Sequence, residues 1–137
     1  MRRFMVLVTV VLLMTAILVA SAAPAFAALL RTEPKFDPTA TISPDNRSVF
    51  LGGPIACTEG ETVSVWAIVI QEEAVAQGTW QGLCTGSIQR WNAVATTGGA
   101  ATFEEGAAKA CGMALTRSGE LLTDGDVWCA EVTLVKG

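Results

Sequence analysis

Cysteines are the residues of this chain whose number and spacing point most directly to chemistry. Four are present, at Cys57, Cys84, Cys111 and Cys129, and no Cys-x-x-Cys pair occurs. The spacing therefore indicates neither a zinc ribbon nor a thioredoxin-like redox site. An even cysteine count in a small exported domain is typical of disulfides, so two bridges are expected. Three connectivities are open, and the strand pattern described below favours Cys57–Cys84 with Cys111–Cys129.

Side chains that commonly perform catalysis are scarce. The sequence contains no histidine, which excludes serine–histidine and cysteine–histidine nucleophiles and histidine-ligated zinc. Neighbouring glutamates such as Glu104-Glu105 would point to opposite faces of a strand, so they are not natural acid–base pairs. Glu120, Asp124 and Asp126 form a weak candidate set of oxygen ligands for Ca²⁺, without an EF-hand pattern. We therefore predict a protein that is not an enzyme, with no catalytic residue, no cofactor and no metal beyond this weak calcium candidate.

Tryptophans are the other residues that could form a site. Trp80 and Trp91 bracket the stretch WQGLCTGSIQRW, and both fall on the inward phase of a predicted strand, next to Cys84. We expect these two to be core residues, because a domain of this size needs large side chains inside it. Trp66 lies in TVSVWAIVIQ, where both faces of the predicted strand are largely apolar. Trp66 is therefore the candidate ligand-binding residue.

The N-terminus has the layout of a secretory signal peptide. Arg2 and Arg3 precede an uncharged apolar run from Phe4 to Ala20, and Ala25-Phe26-Ala27 is a small-x-small cleavage signature. We expect cleavage after Ala27, so that residues 1–27 are removed and the mature chain is secreted with no membrane association.

Charge excludes one class of partner. Without Arg2 and Arg3 the mature chain has seven basic and 13 acidic residues, a net charge of −6. Nucleic-acid binding requires clustered lysine and arginine, so we expect no nucleic-acid partner.

Periodicity predicts short strands. Residues 28–38 contain two prolines and no clear period, which indicates an extended leader, and alternating segments then follow one another with turn residues between them. Residues 62–71 form the strongest strand. Residues 106–115 fit either a helix or a strand of small residues, and the surrounding strands favour the strand. Residues 117–126 are predicted to be a loop. The result is a single all-β sandwich over residues 39–137, in which each disulfide joins two strands or strand ends.

Several short motifs resemble small exported bacterial β-sandwich domains of uncharacterised function. They are Cys84-Thr85-Gly86-x-x-Gln89-x-Trp91, Phe103-x-x-Gly106-x-Ala108, Thr116-Arg117-x-Gly119, Asp126-x-Trp128 and Val132-x-Leu134. The resemblance implies export and an immunoglobulin-like antiparallel β-sandwich of about seven to eight strands with two disulfides, and it carries over no site residues. Cys57, Trp66 and Cys129 follow the cysteine–tryptophan–cysteine order of immunoglobulin domains, but the chain has no tyrosine and so no tyrosine corner.

Taken together, these features predict a secreted, non-enzymatic binding or structural module with an unknown extracellular ligand or protein partner. Two alternatives stay open. One is a carrier of a small hydrophobic molecule in a cleft around Trp66. The other is a secreted enzyme inhibitor that acts through the predicted loop at Glu120 to Asp126.

Overall fold

A computed structural model describes residues 35–137 of the chain. The predicted signal peptide, residues 1–27, and residues 28–34 of the predicted leader lie outside the described residues. The described part consists of strands joined by turns and short loops. The seven strands are β1 (Thr39–Ile42), β2 (Ser48–Ile55), β3 (Thr62–Gln71), β4 (Ala74–Leu83), β5 (Gln89–Thr97), β6 (Gly106–Ser118) and β7 (Leu121–Lys136).

The strands close into a barrel in the order β1-β2-β5-β4-β3-β6-β7. Neighbours are antiparallel except β1 and β7, which run parallel where Ala40 lies beside Leu134. An odd number of strands requires this exception, because strict alternation of direction around a ring needs an even number. The ring is completed by the four residues of β1, which pair with β2 on one side and with β7, the last strand of the chain, on the other.

The predicted immunoglobulin-like sandwich is wrong, although the all-β class and the two disulfides are confirmed. A sandwich leaves edge strands on two sheets, whereas here β1 pairs with both β2 and β7 and the ring is closed. Alternation predicts which residues form strands and which side chains point inward. It does not specify which strands become neighbours, and the β1–β7 pairing joins residues that lie more than 90 positions apart in the chain.

Small inward residues give the large ones space inside the barrel. The inward positions of β6 are Ala108, Ala110, Gly112, Ala114 and Thr116, all of them buried. Trp128 of β7 fills the space beside Gly112. A Cβ atom at Gly112 would lie 2.6 Å from the Trp128 ring. Alternating small and large interior residues are typical of small barrels.

The barrel wall is thin in two places. The β4–β5 ladder consists of two residue pairs, Ala76 with Thr97 and Gln77 with Thr96, and the Cys57–Cys84 disulfide links β2 to β4 at the end of the barrel beyond that ladder. Between β2 and β7, residues 35–38 take the place of a longer β1. There the Asp37 amide donates to the Gly52 carbonyl at 2.8 Å.

Local predictions had mixed outcomes. Residues 106–115 belong to β6, which confirms the strand. The predicted loop at residues 117–126 is wrong, because β6 and β7 join through a tight turn at Gly119 and Glu120 and pairing resumes at Leu121. Gly119 has a φ of 62°, a conformation that glycine adopts without steric cost, so the turn needs few residues. Within residues 35–137, no helix is long and apolar enough to cross a membrane.

Candidate functional site

Strand β3 positions Trp66 on the outside of the barrel. Val63, Val65, Ala67 and Val69 point inward and are buried, whereas Ser64, Trp66, Ile68 and Ile70 point outward. β3 is hydrogen-bonded to β4 on one side and to β6 on the other, so its outward side chains lie in the middle of a four-stranded surface. Trp66 is 39% exposed there.

The neighbouring strands continue this apolar surface in register. Met113 of β6 lies directly beside Trp66, and Val127 of β7 lies directly beside Met113. Met113 is 39% exposed and Val127 is 69% exposed. Three adjacent strands thus present one row of large apolar side chains to solvent.

The next row contains a disulfide. Ile68 pairs with Cys111, and Cys111 is bonded to Cys129, its direct neighbour on β7. This bridge, like Cys57–Cys84, has the favoured connectivity. We call the combined surface the Trp66 face and define it as Trp66, Ile68, Ile70, Val75, Met113, Leu115, Val127 and the Cys111–Cys129 disulfide. From strand and residue spacings it measures roughly 15 Å by 20 Å, which is comparable with the largest apolar patch of a typical monomer.

An open groove of about 1010 Å³ adjoins the Trp66 face. It lies between the β3–β4 turn and the chain around residues 101–109, and Ile70 and Cys129 belong to its lining as well as to the face. We call it the acidic groove, because its lining includes Glu72, Glu73, Glu104, Glu105 and Glu131, with Lys109 as the one basic residue among the described lining residues. These carboxylates form no ion pair within residues 35–137.

Gln71 fixes one wall of the acidic groove. Its side-chain nitrogen donates to the carbonyl oxygens of Glu104 at 2.9 Å and Ala107 at 3.2 Å, and its side-chain oxygen accepts from the Glu104 amide at 2.8 Å. The Gln71 side chain thus makes the hydrogen bonds to the backbone of residues 104–107 that a neighbouring strand would otherwise make. The glutamates of the loop are consequently held beside those of the β3–β4 turn.

The other three tryptophans belong to the interior, in agreement with the prediction for Trp80 and Trp91. Trp91 is fully buried, and Trp80 and Trp128 are half-buried against the core. Phe36 and Trp128 pack around Trp91 with ring centroids 5.5 to 6.4 Å apart. Such distances are those of contacting rings, so this cluster fills the gap between β2 and β7 rather than forming an open cleft.

The weak calcium candidates do not converge. Glu120 lies in the β6–β7 turn, whereas Asp124 and Asp126 are on β7. Asp126 pairs with Lys35, and an Asp124 oxygen accepts from the Gly125 amide at 2.8 Å. Within the described residues no group of three or more histidine, cysteine or acidic side chains is arranged to hold a metal ion. The segment is mostly strand, so it does not provide the loop on which the inhibitor hypothesis depended.

Two ionisable groups with shifted pKa values lie away from the Trp66 face. A hydrogen bond to Asp37 raises the pKa of Arg90 above its ordinary value. Hydrogen bonds from the Ser43 hydroxyl and the Arg47 amide lower the pKa of Asp45. Both groups stabilise the chain ends and turns next to β1 and have no role in the site.

The sequence predicted Trp66 as the candidate binding residue, and the structure shows it partly exposed, but the sequence did not predict the residues around it. Met113, Val127 and the groove glutamates enter it only because β3, β6 and β7 are neighbours in this register. The signal that the sequence does contain lies in β3, where both faces are apolar although the closed wall has only one interior side, and this signal singles out Trp66 alone. The chain matches no protein-family model and no curated protein at a significant level of similarity.

Proposed function

We propose that this chain is an exported, non-enzymatic module that binds a protein partner through the Trp66 face. The observation that carries the proposal is the row Trp66–Met113–Val127, in which three neighbouring strands expose large apolar side chains side by side. Tryptophan and methionine are enriched at protein interfaces, and tryptophan is prominent among the residues that dominate binding energy. Contiguous apolar surface of this size on a monomer is commonly a functional site.

The shape of the surface favours a macromolecule over a small hydrophobic cargo. Sites for small molecules are concave and bury most of the ligand, whereas the Trp66 face is the outer side of a sheet. The interior offers no alternative place around Trp66, because the inward neighbours Val65 and Ala67 are packed in the core. Export is supported by the signal-like N-terminus and by two disulfides, which persist in oxidising compartments.

Affinity capture from the extracellular fraction of the secreting host tests the proposal. The oxidised chain is compared with Trp66→Ser and Met113→Ser, and Val94→Ser serves as the matched control because Val94 is an exposed apolar residue on the outside of β5. A partner retained by the wild type and the control but lost by both face variants is the expected result. Equal capture by all four proteins would refute the role of the face.

A further inference from the structure

We propose that the Trp66 face and the acidic groove form one docking site for a basic, amphipathic segment of the partner. This inference rests on the proposed function and adds the chemistry of the partner. Its apolar side chains would cover Trp66 and Met113, and its lysine or arginine side chains would meet the groove carboxylates.

The two surfaces are continuous. Ile70 and Cys129 line the groove and also belong to the face. The border between the face and the groove is the row in which Ile70 of β3, Lys109 of β6 and Glu131 of β7 lie side by side on neighbouring strands. A segment that packs on Met113 and Ile70 therefore reaches the row that also contains Glu131, which lies two strands from Ile70 on the far side of Lys109.

The negative charge of the groove favours a positively charged partner segment. Five glutamates line the groove with one lysine, and none of the five is neutralised by an ion pair within residues 35–137. Like-charge contacts suppress wrong partners, and complementary charges steer correct ones. A second copy of this acidic chain would bring the same carboxylates, so a basic partner segment fits the site better than self-association.

The dimensions suit a short segment. A helix of about 14 residues is roughly 21 Å long, which matches the longer dimension of the Trp66 face estimated from strand geometry. The groove of about 1010 Å³ is open to solvent along this surface and accommodates long basic side chains without rearrangement of the barrel.

Fluorescence anisotropy with two labelled synthetic peptides tests the inference. One is a 14-residue amphipathic peptide of leucine and lysine, and the other has the same leucine positions with glutamate in place of lysine. Each is titrated with the oxidised wild type, with Met113→Ser and its control Val94→Ser, and with two charge variants. The groove variant is Glu104→Gln/Glu131→Gln. Its control is Glu59→Gln/Glu120→Gln, which removes the same charge from exposed positions outside the groove.

The expected result is that the leucine–lysine peptide binds and the groove variant weakens binding roughly fivefold to tenfold at low salt, while the charge control changes it by less than about twofold. Equal weakening by both charge variants would show attraction by net charge alone and overturn the inference. If the leucine–glutamate peptide binds as tightly and Met113→Ser weakens it, the Trp66 face stands as a binding site but the basic partner is wrong. If neither peptide binds, or if Met113→Ser behaves like Val94→Ser, the inference fails, and the capture experiment with Trp66→Ser and Met113→Ser decides separately whether the face binds a protein partner. Unchanged thermal unfolding of each variant excludes misfolding as the cause.

Discussion

Trp91 is a fully buried side chain whose indole N–H has no hydrogen-bond partner within residues 35–137. An unsatisfied buried donor costs about 1–3 kcal/mol, which offsets part of what the ring contributes by packing. We expect Trp91→Phe to lower the free energy of unfolding by less than about 2 kcal/mol, because it removes the donor and keeps an aromatic ring. Trp91→Ala should cost about 3–5 kcal/mol, because it leaves a cavity.

Urea unfolding at neutral pH measures both Trp91 variants. A Phe variant as unstable as the Ala variant would mean that the indole N–H has a partner in solution. In that case the tryptophan would be present for its hydrogen bond as well as for its volume.

Asp45 makes the turn between β1 and β2 sensitive to acid. Its carboxylate accepts from the Ser43 hydroxyl and from the Arg47 amide, which lowers its pKa below the ordinary value of 3.8. Because the folded pKa is the lower one, the stabilisation is fully present above pH 3.8 and is lost as the pH falls through the folded pKa. We expect the advantage of the wild type over Asp45→Asn in unfolding free energy to shrink in that acidic range.

An NMR titration of the Asp45 carboxyl carbon measures this pKa directly. Unfolding of the wild type and Asp45→Asn at pH 6 and pH 3 measures the stability difference. A carboxyl pKa at or above 3.8, or a difference that does not change with pH, would contradict the role given to the turn.

At the scale of strands, the two disulfides differ in what surrounds them. Cys57 and Cys84 are buried and span the stretch where the β4–β5 ladder is missing. Cys111 and Cys129 lie on the outer surface, between β6 and β7, which pair along nearly their whole length. We therefore expect a mild reductant to open Cys111–Cys129 first and to leave the barrel folded, because thiol–disulfide exchange requires access to a sulfur atom.

Alkylation of native protein in reductant, followed by peptide mass mapping, shows the order of opening. The same reaction in denaturant is the control and should label all four cysteines. Labelling of Cys57 and Cys84 before the other pair under native conditions would show that the thin part of the wall opens more readily than the structure indicates.

The strands themselves were largely predictable, because alternation is a local property. Residues 62–71 were predicted as a strand and form β3, and the small-residue strand at residues 106–115 lies within β6. The predicted loop at residues 117–126 is wrong, because most of this polar segment belongs to β6 and β7. Polar residues also suit an exposed strand, and the turn itself needs only Gly119 and Glu120. The composition of that segment does not distinguish the two.

Closure of the barrel, by contrast, is a property of the whole molecule. The pairing of Ala40 with Leu134 depends on the position of every strand between them. The Trp66 face depends on the same arrangement, because Met113 and Val127 become neighbours of Trp66 only through pairing between β3, β6 and β7. A single strand pattern contains no information about such neighbours. For this reason the sequence predicts the outward position of Trp66 but not the surface around it.

Leu134 links closure to the stability of the entire barrel. It is fully buried and lies between Ala40 of β1 and Gly106 of β6. We expect Leu134→Ala to lower the free energy of unfolding by about 2–5 kcal/mol, and Val135→Ala, the next residue but outward-facing and 37% exposed, to lower it by less than about 1 kcal/mol. Hydrogen exchange of the Leu134 variant should show β1 and β2 losing protection together with β6 and β7, because opening the ring at β1 exposes strands on both sides of it. Loss of protection confined to the end of β7 would show that the end of β7 can open while the other strands stay folded. In that case the β1–β7 pairing would close the barrel without stabilising its other strands.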